Sequence, residues 1–251
     1  MRDNRNRSIR DFLKVNNMTT DTADLHFYGD IVADSWEAWG CDDNYPTEIR
    51  EFLNSIGDKD LNIYINSCGG SVFRGMAIYN MLKRHKGHKK VIVDGIAASI
   101  SSVIALVGDE VEIPANAYFM IHKPWCYVGS GNSDDFRQQA DSLDKIEDGI
   151  VNVYLEHVKE GTSEEDIRNM MAAETWMTGT EASEYFTNIS SSTPIKVLNY
   201  VDSDIEFKNI RKIPDAVREA RNNNVWEKIN EEKEKMEKDE IENIMMEIEL
   251  A

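Results

Sequence analysis

Cysteine is scarce in this chain, and its placement excludes a class of folds. Only Cys41, Cys68 and Cys126 occur in 251 residues, with no CxxC pair among them. Three such residues cannot build a disulfide framework or a four-cysteine zinc site, and they fit a reducing, cytosolic setting. Positive charge is also short: 28 Lys and Arg stand against 46 Asp and Glu, a formal net charge of −18. So acidic a chain excludes non-specific binding to nucleic acid or to anionic membranes, because both need a basic face. No uncharged apolar run reaches the roughly 18 residues that span a bilayer. The basic N-terminus MRDNRNRSIRDF lacks the apolar stretch of a secretory signal. No self-similarity at a period of about 20–50 residues appears, which sets aside a solenoid. Nothing in the residue pattern calls for a metal or another cofactor.

What is present is the alternation of an α/β fold. A strand signal at LHFYGDI (Leu25–Ile31) precedes a helix in YPTEIREFLNSIG, with Pro46 in its first turn and Gly57 as its stop. Next comes a strand in LNIYINS, where Leu61, Ile63 and Ile65 alternate with polar residues. The stretch SVFRGMAIYNMLKRH is a helix with Met76, Tyr79, Met81 and Leu82 on its apolar side. The β-branched run KKVIVDGI and two pieces of GDEVEIPANAYFMIH around Pro114 supply further strands. This order predicts a sheet whose faces are covered by helices.

Further on, Phe136, Ala140, Leu143, Ile146, Ile150, Val153 and Tyr154 keep the helical period and predict a long helix from about Asn132 to Lys159. Two shorter helices follow, capped by Thr162 or Ser163 and by Thr178 or Thr180. Glu181 stands where it completes a capping box with Thr178. The chain therefore divides into a flexible polar segment to residue 20, a main domain over 21–205, and an acidic tail over 206–251. From Trp226 onward that tail holds ten acidic residues against four basic ones.

Three places carry chemistry. In VDGIAASIS, Ser99 follows Gly95 and two alanines at a strand-to-helix junction, where small neighbours leave room for a substrate. The following N–H, that of Ile100, lies at the positive end of the new helix. The stretch differs from the GxSxG elbow, because Ala97 stands at the first glycine. In NSCGGSVFRG, two glycines between strand and helix allow the backbone to aim its amides at a ligand. In FMIHKPW, His122 closes a strand. His26, His85, His88 and His157 have no comparable setting. Taken singly, each feature is more often structural. Together they are a nucleophile, oxyanion donors and a general base. Local chemistry does not select the acid that would orient the imidazole, and it leaves Ser101 and Ser102 as packing residues.

The segments IYINSCGGSVFRGMAIYNML, VDGIAASISSVIAL, FMIHKPW and AAETWMTGTEASEYF, in this order and spacing, resemble the ClpP family of self-compartmentalising serine proteases. The resemblance runs from about Leu25 to Phe186 and is strongest to the branch encoded in phage head-gene clusters. It implies a ClpP/crotonase-like spiral of β-β-α units with a protruding long-helix handle. It also implies Ser99 as nucleophile, His122 as general base, and the backbone N–H groups of Gly70 and Ile100 as the oxyanion hole. Glu174 falls at the position of the acid, with Asp166 as the fallback. Tyr127, Val128 and Gly129 fall on the handle strand that binds substrate.

The same resemblance implies homo-oligomers of heptameric rings stacked in pairs, in the cytoplasm of a bacterial host. Unfolded or exposed polypeptides would be the substrates. A Clp-type ATPase and capsid or scaffold proteins are the implied partners. The chain departs from the family where Cys68 replaces the proline of SPGG and Phe186 the glycine of EYG. It departs again in an insertion carrying Trp36 and Trp39, and in the acidic tail. Two other classes compete. A crotonase-type acyl-CoA enzyme shares the fold and the paired-amide oxyanion hole, and a capsid assembly factor needs no catalysis. A Ser–Lys peptidase is disfavoured because Lys123, next to His122, would point the opposite way along a strand.

Overall fold

The computed structural model describes residues 21–31 and 46–193. The expected N-terminal segment, the insertion with Trp36 and Trp39, and the acidic tail lie outside the described residues.

The β-branched runs build the sheet. Strands β1 (Thr22–Tyr28), β2 (Asp60–Ser67), β3 (Lys89–Ala98), β4 (Glu110–Pro114) and β7 (Ile189–Ser192) lie side by side in the order β1-β2-β3-β4-β7. Every pairing along this path is parallel. Parallel neighbours need crossovers, and the helices α1 (Pro46–Ile56) and α2 (Val72–Arg84) fill the first two. Strand β3 is long enough to serve two partners. Lys90–Ile92 pair with β4, whereas Ile96–Ala98 pair with β5 (Tyr118–Ile121). Strand β5 in turn pairs antiparallel with β6 (Thr175–Thr178).

Side-chain alternation sorts the two faces. Leu25, Phe27, Ile63, Ile65, Val91 and Val93 point into one core with Phe52, Ile78 and Leu82 from the helices. The other face of the same strands is polar and aromatic. There His26 stacks on Tyr64 with ring centroids 4.7 Å apart, and the Tyr28 hydroxyl donates to Asp94. Among the described residues, the helices meet β1–β3 through the first face, while the second carries His26, Tyr64, Ile92 and Asp94.

The remaining helices are α3 (Ile100–Ala105), α4 (Ser133–Leu155), α5 (Glu164–Ala173) and α6 (Gly179–Tyr185). Boundaries differ from the sequence reading in three places. Strand β1 stops at Tyr28, before Gly29 at φ 81°, and Ile31 pairs only through an isolated bridge to Gly70. Helix α4 ends at Leu155 because the following residues turn to meet α6, with Val158 bridged to Phe186. Helix α2 buries Gly75, Ile78, Tyr79 and Leu82, leaving Met76 and Met81 half-buried at the edge of the core. Ser163 and Thr178 are the caps, each in a complete capping box. Among the described residues no helix is long and apolar enough to cross a membrane.

Candidate active site

Three strands end at one edge of the sheet, and each delivers one of the predicted residues there. Ser99 follows β3, His122 follows β5, and Glu174 precedes β6. The register sets them in line, since Ala98 pairs with Met120 and Ile121 with Thr175. The Ser99 N–H donates to the Met120 carbonyl at 3.0 Å, which carries the β3–β5 ladder to the serine itself. Nε2 of His122 lies 2.7 Å from Oγ of Ser99. That is hydrogen-bond contact between a hydroxyl and a base.

Ser99 caps α3 with φ 58° and ψ −131°. Glu174 ends α5 in the left-handed region with φ 55° and ψ 70°. These are the two non-glycine residues of positive φ among the described residues. Such backbone costs on the order of 1–3 kcal/mol and gathers at functional sites.

Burial holds the His122 imidazole below its ordinary pKa, while the charge of Glu174 pulls it back up. Burial wins, so the ring is neutral and can accept a proton at neutral pH. Asp166 is engaged elsewhere. Its Oδ2 accepts from the Ser163 N–H at 2.8 Å and from Ser163 Oγ at 2.6 Å, closing the capping box of α5. Lys123 is likewise drawn away from Ser99, with Nζ 3.0 Å from Oε2 of Glu147. The Cys68 thiol beside the glycine turn is pushed up to about 12 by burial first and by Asp30 second, which leaves it protonated and unreactive.

The glycine pair fits against the serine turn. Gly69 has φ 98° and Gly70 φ 141°. A Cβ on Gly69 would stand 2.8 Å from both the Ala98 oxygen and Ser99 Cβ, and 3.1 Å from the Ile100 nitrogen. A Cβ on Gly70 would stand 2.4 Å from the Ile31 oxygen. Only glycine allows the two backbone segments this close. Ile31 bonds the groups flanking Gly70: its N–H donates to the Gly69 carbonyl and its carbonyl accepts from Ser71, both at 2.8 Å. Strand alternation turns the Gly70 N–H away from Ile31.

The handle residues differ from their predicted form. Tyr127, Val128 and Gly129 belong to no strand, and Tyr127 is 89% exposed. A strand requires a ladder partner, and none of the described residues pairs with this segment. Helix α4 divides in two: Phe136 is exposed, whereas Ile150, Val151, Val153 and Tyr154 are buried.

Three contributors escaped the sequence reading. Ser101 Oγ lies 2.7 Å from the carbonyls of both Ala98 and Ser67, and its single proton is shared between them. Ser102 Oγ donates to the Ser99 carbonyl. The buried carboxylate of Glu147, on α4, pairs with both Lys123 and Arg168, at 3.0 and 3.2 Å. It thereby ties the residue after His122 to the helix that ends at Glu174. A serine three residues after a candidate nucleophile is the one local signal that could have pointed to Ser102, since that spacing permits a bond back to the carbonyl.

The Clp protease family profile matches residues 50–186 of this chain. That segment holds Gly70, Ser99, Ile100, His122 and Glu174, but begins inside α1 and leaves β1 outside. The chain is 32% identical over 137 residues to the ATP-dependent Clp protease proteolytic subunit of Bacteroides fragilis, covering 53% of this chain and 65% of that protein. It is 35% identical over 128 residues to the ATP-dependent Clp protease proteolytic subunit 3 of Streptomyces coelicolor, covering 50% and 58%. The chain thus aligns with about three-fifths of the length of these two relatives.

Proposed function

Because the chain belongs to the Clp protease family, we propose that it is a serine endopeptidase with Ser99 as nucleophile and His122 as general base. The observation that carries this reading is the 2.7 Å contact between Oγ and Nε2 at a left-handed strand-to-helix turn. Oγ attacks the scissile carbonyl while Nε2 takes its proton. The developing oxyanion meets the N–H groups of Gly70 and Ile100. The imidazolium then protonates the leaving amine, and a water activated by the same ring releases the acyl-enzyme. A neutral imidazole that accepts at Nε2 carries its proton on Nδ1, and the Glu174 charge favours both that tautomer and the imidazolium that follows. A crotonase-type enzyme needs no serine–histidine pair, so this contact favours the peptidase.

The finer reading is processing of phage capsid or scaffold proteins. It rests on the AAETW stretch that carries Glu174 and on the insertion that carries Trp36 and Trp39. Homo-oligomeric rings, paired through the handle, would cover four of the apolar side chains exposed among the described residues, Trp125, Tyr127, Val128 and Phe136. Tyr127, Val128 and Gly129 would then gain a strand partner in a substrate peptide. A Clp-type ATPase would feed folded substrates into such a chamber.

A fluorophosphonate probe tests the central claim. Adduct formation at Ser99, lost in Ser99→Ala with the oligomer mass unchanged, is the expected result. Unchanged peptidase activity in Ser99→Ala would overturn it.

A further inference from the structure

Every polar group of the two peptide planes around Ser99 has a role. In the plane before it, the Ala98 carbonyl accepts from Ser101 Oγ at 2.7 Å and the Ser99 N–H donates to Met120 at 3.0 Å. In the plane after it, the Ser99 carbonyl accepts from the Ser102 N–H at 3.0 Å and again from Ser102 Oγ. The remaining group of that second plane is the Ile100 N–H. A trans peptide is rigid and points its C=O and N–H in opposite directions. Whatever fixes the Ser99 carbonyl therefore fixes the direction of the Ile100 donor.

Ser102 Oγ has a second neighbour, the hydroxyl of Tyr154, at 2.8 Å. Each hydroxyl has one proton. Ser102 uses its own on the Ser99 carbonyl, so the proton of the second bond comes from Tyr154. The result is a relay from the long helix to the nucleophile turn: Tyr154 O–H to Ser102 O–H to Ser99 C=O. Tyr154 and Ser102 are both almost wholly buried, so water does not replace a missing member without opening the core. Burial also keeps the phenol protonated, as a donor must be, with the Ser102 bond opposing.

We propose that Tyr154 and Ser102 are positioning residues for the oxyanion hole, acting through the Ser99–Ile100 peptide plane. The inference rests on the peptidase reading above. It places α4 in control of transition-state stabilisation, not of the nucleophile's reactivity. Neither residue touches the substrate.

The test uses the full chain in its native oligomer and compares two reactions. Phosphonylation of Ser99 by a fluorophosphonate builds negative charge on oxygen, whereas alkylation of a Ser99→Cys variant by iodoacetamide does not. Removing a whole oxyanion donor costs about 100- to 1000-fold, so misaiming one should cost less. Ser102→Ala is expected to slow phosphonylation by roughly 10- to 100-fold, and Tyr154→Phe by roughly 3- to 10-fold. The double variant should be no slower than Ser102→Ala alone, because the two act in series. In the Ser99→Cys background, Tyr154→Phe should leave alkylation within about twofold.

Tyr154→Phe removes one oxygen and keeps the ring, so it preserves the test if Ser102→Ala fails to fold. Equal slowing of both reactions, additive losses, or an unchanged phosphonylation rate in Tyr154→Phe would each overturn the inference while leaving the peptidase assignment standing. Failure of the wild-type protein to label at Ser99 would instead overturn that assignment, and the inference with it.

Discussion

Ser99 and Glu174 share an unusual backbone, and the way each is held is different. The Ser99 turn is pinned on both sides, by Met120 and Ser101 before it and by two donors from Ser102 after it. The Glu174 turn is an ordinary helix stop. Its N–H bonds the Met171 carbonyl at 3.2 Å, at a left-handed position where glycine is usual. One turn is strained and locked so that a hydroxyl meets a base. The other carries a carboxylate at a position where glycine is usual, and its charge acts on the His122 imidazole.

That contrast can be broken experimentally. Ser99→Ala should lower kcat by about a million-fold while leaving Tm unchanged, as for a nucleophile whose backbone is fixed by its neighbours. Activity assay and calorimetry on one preparation check both halves. Glu174→Gln should lower kcat by about a thousand-fold or more, since the neutral amide no longer favours the imidazolium. A loss below about tenfold would remove Glu174 from the site.

Glu174→Gly separates backbone from charge. It should be as inactive as Glu174→Gln yet more stable than wild type, by up to about 1 kcal/mol, because glycine adopts the left-handed turn without strain. Urea unfolding measures this. The smallest effect is on the pH profile. The acid limb of kcat/KM, set by the neutral form of His122, should lie below the ordinary imidazole range. In Glu174→Gln the charge that raises this pKa is gone, so the limb should move to still lower pH. A shift to higher pH would contradict the placement of the Glu174 charge beside His122.

Much of this was legible from local pattern. The alternation in LNIYINS, the Pro46 start and Gly57 stop, and the Thr178–Glu181 spacing all gave elements found in the structure. Ser99, the Gly69–Gly70 pair and His122 could be nominated from residue type and placement, although only together, and the resemblance alone singles out Gly70 within the pair. Glu174 could not, because nothing local distinguishes it from the other acids, and the resemblance alone picked it out. Ser102 read as packing because its role needs Tyr154, 52 residues away. Glu147 sat on a helix already crowded with acids, and only the approach of Lys123 and Arg168 sets it apart. Tyr127, Val128 and Gly129 form no strand among the described residues, since strand pairing belongs to two segments and the sequence displays one.

Strands β3, β5 and β6 deliver Ser99, His122 and Glu174 at consecutive positions across one edge, so the site inherits its spacing from the ladder. Neighbouring strands stand about 4.8 Å apart in any sheet, and that interval acts here as a ruler with a residue at each mark. Its divisions cannot change one at a time, because a one-residue slip of β5 would carry His122 to the other face. Activity and global structure should therefore disappear at the same denaturant concentration, as a single cooperative event.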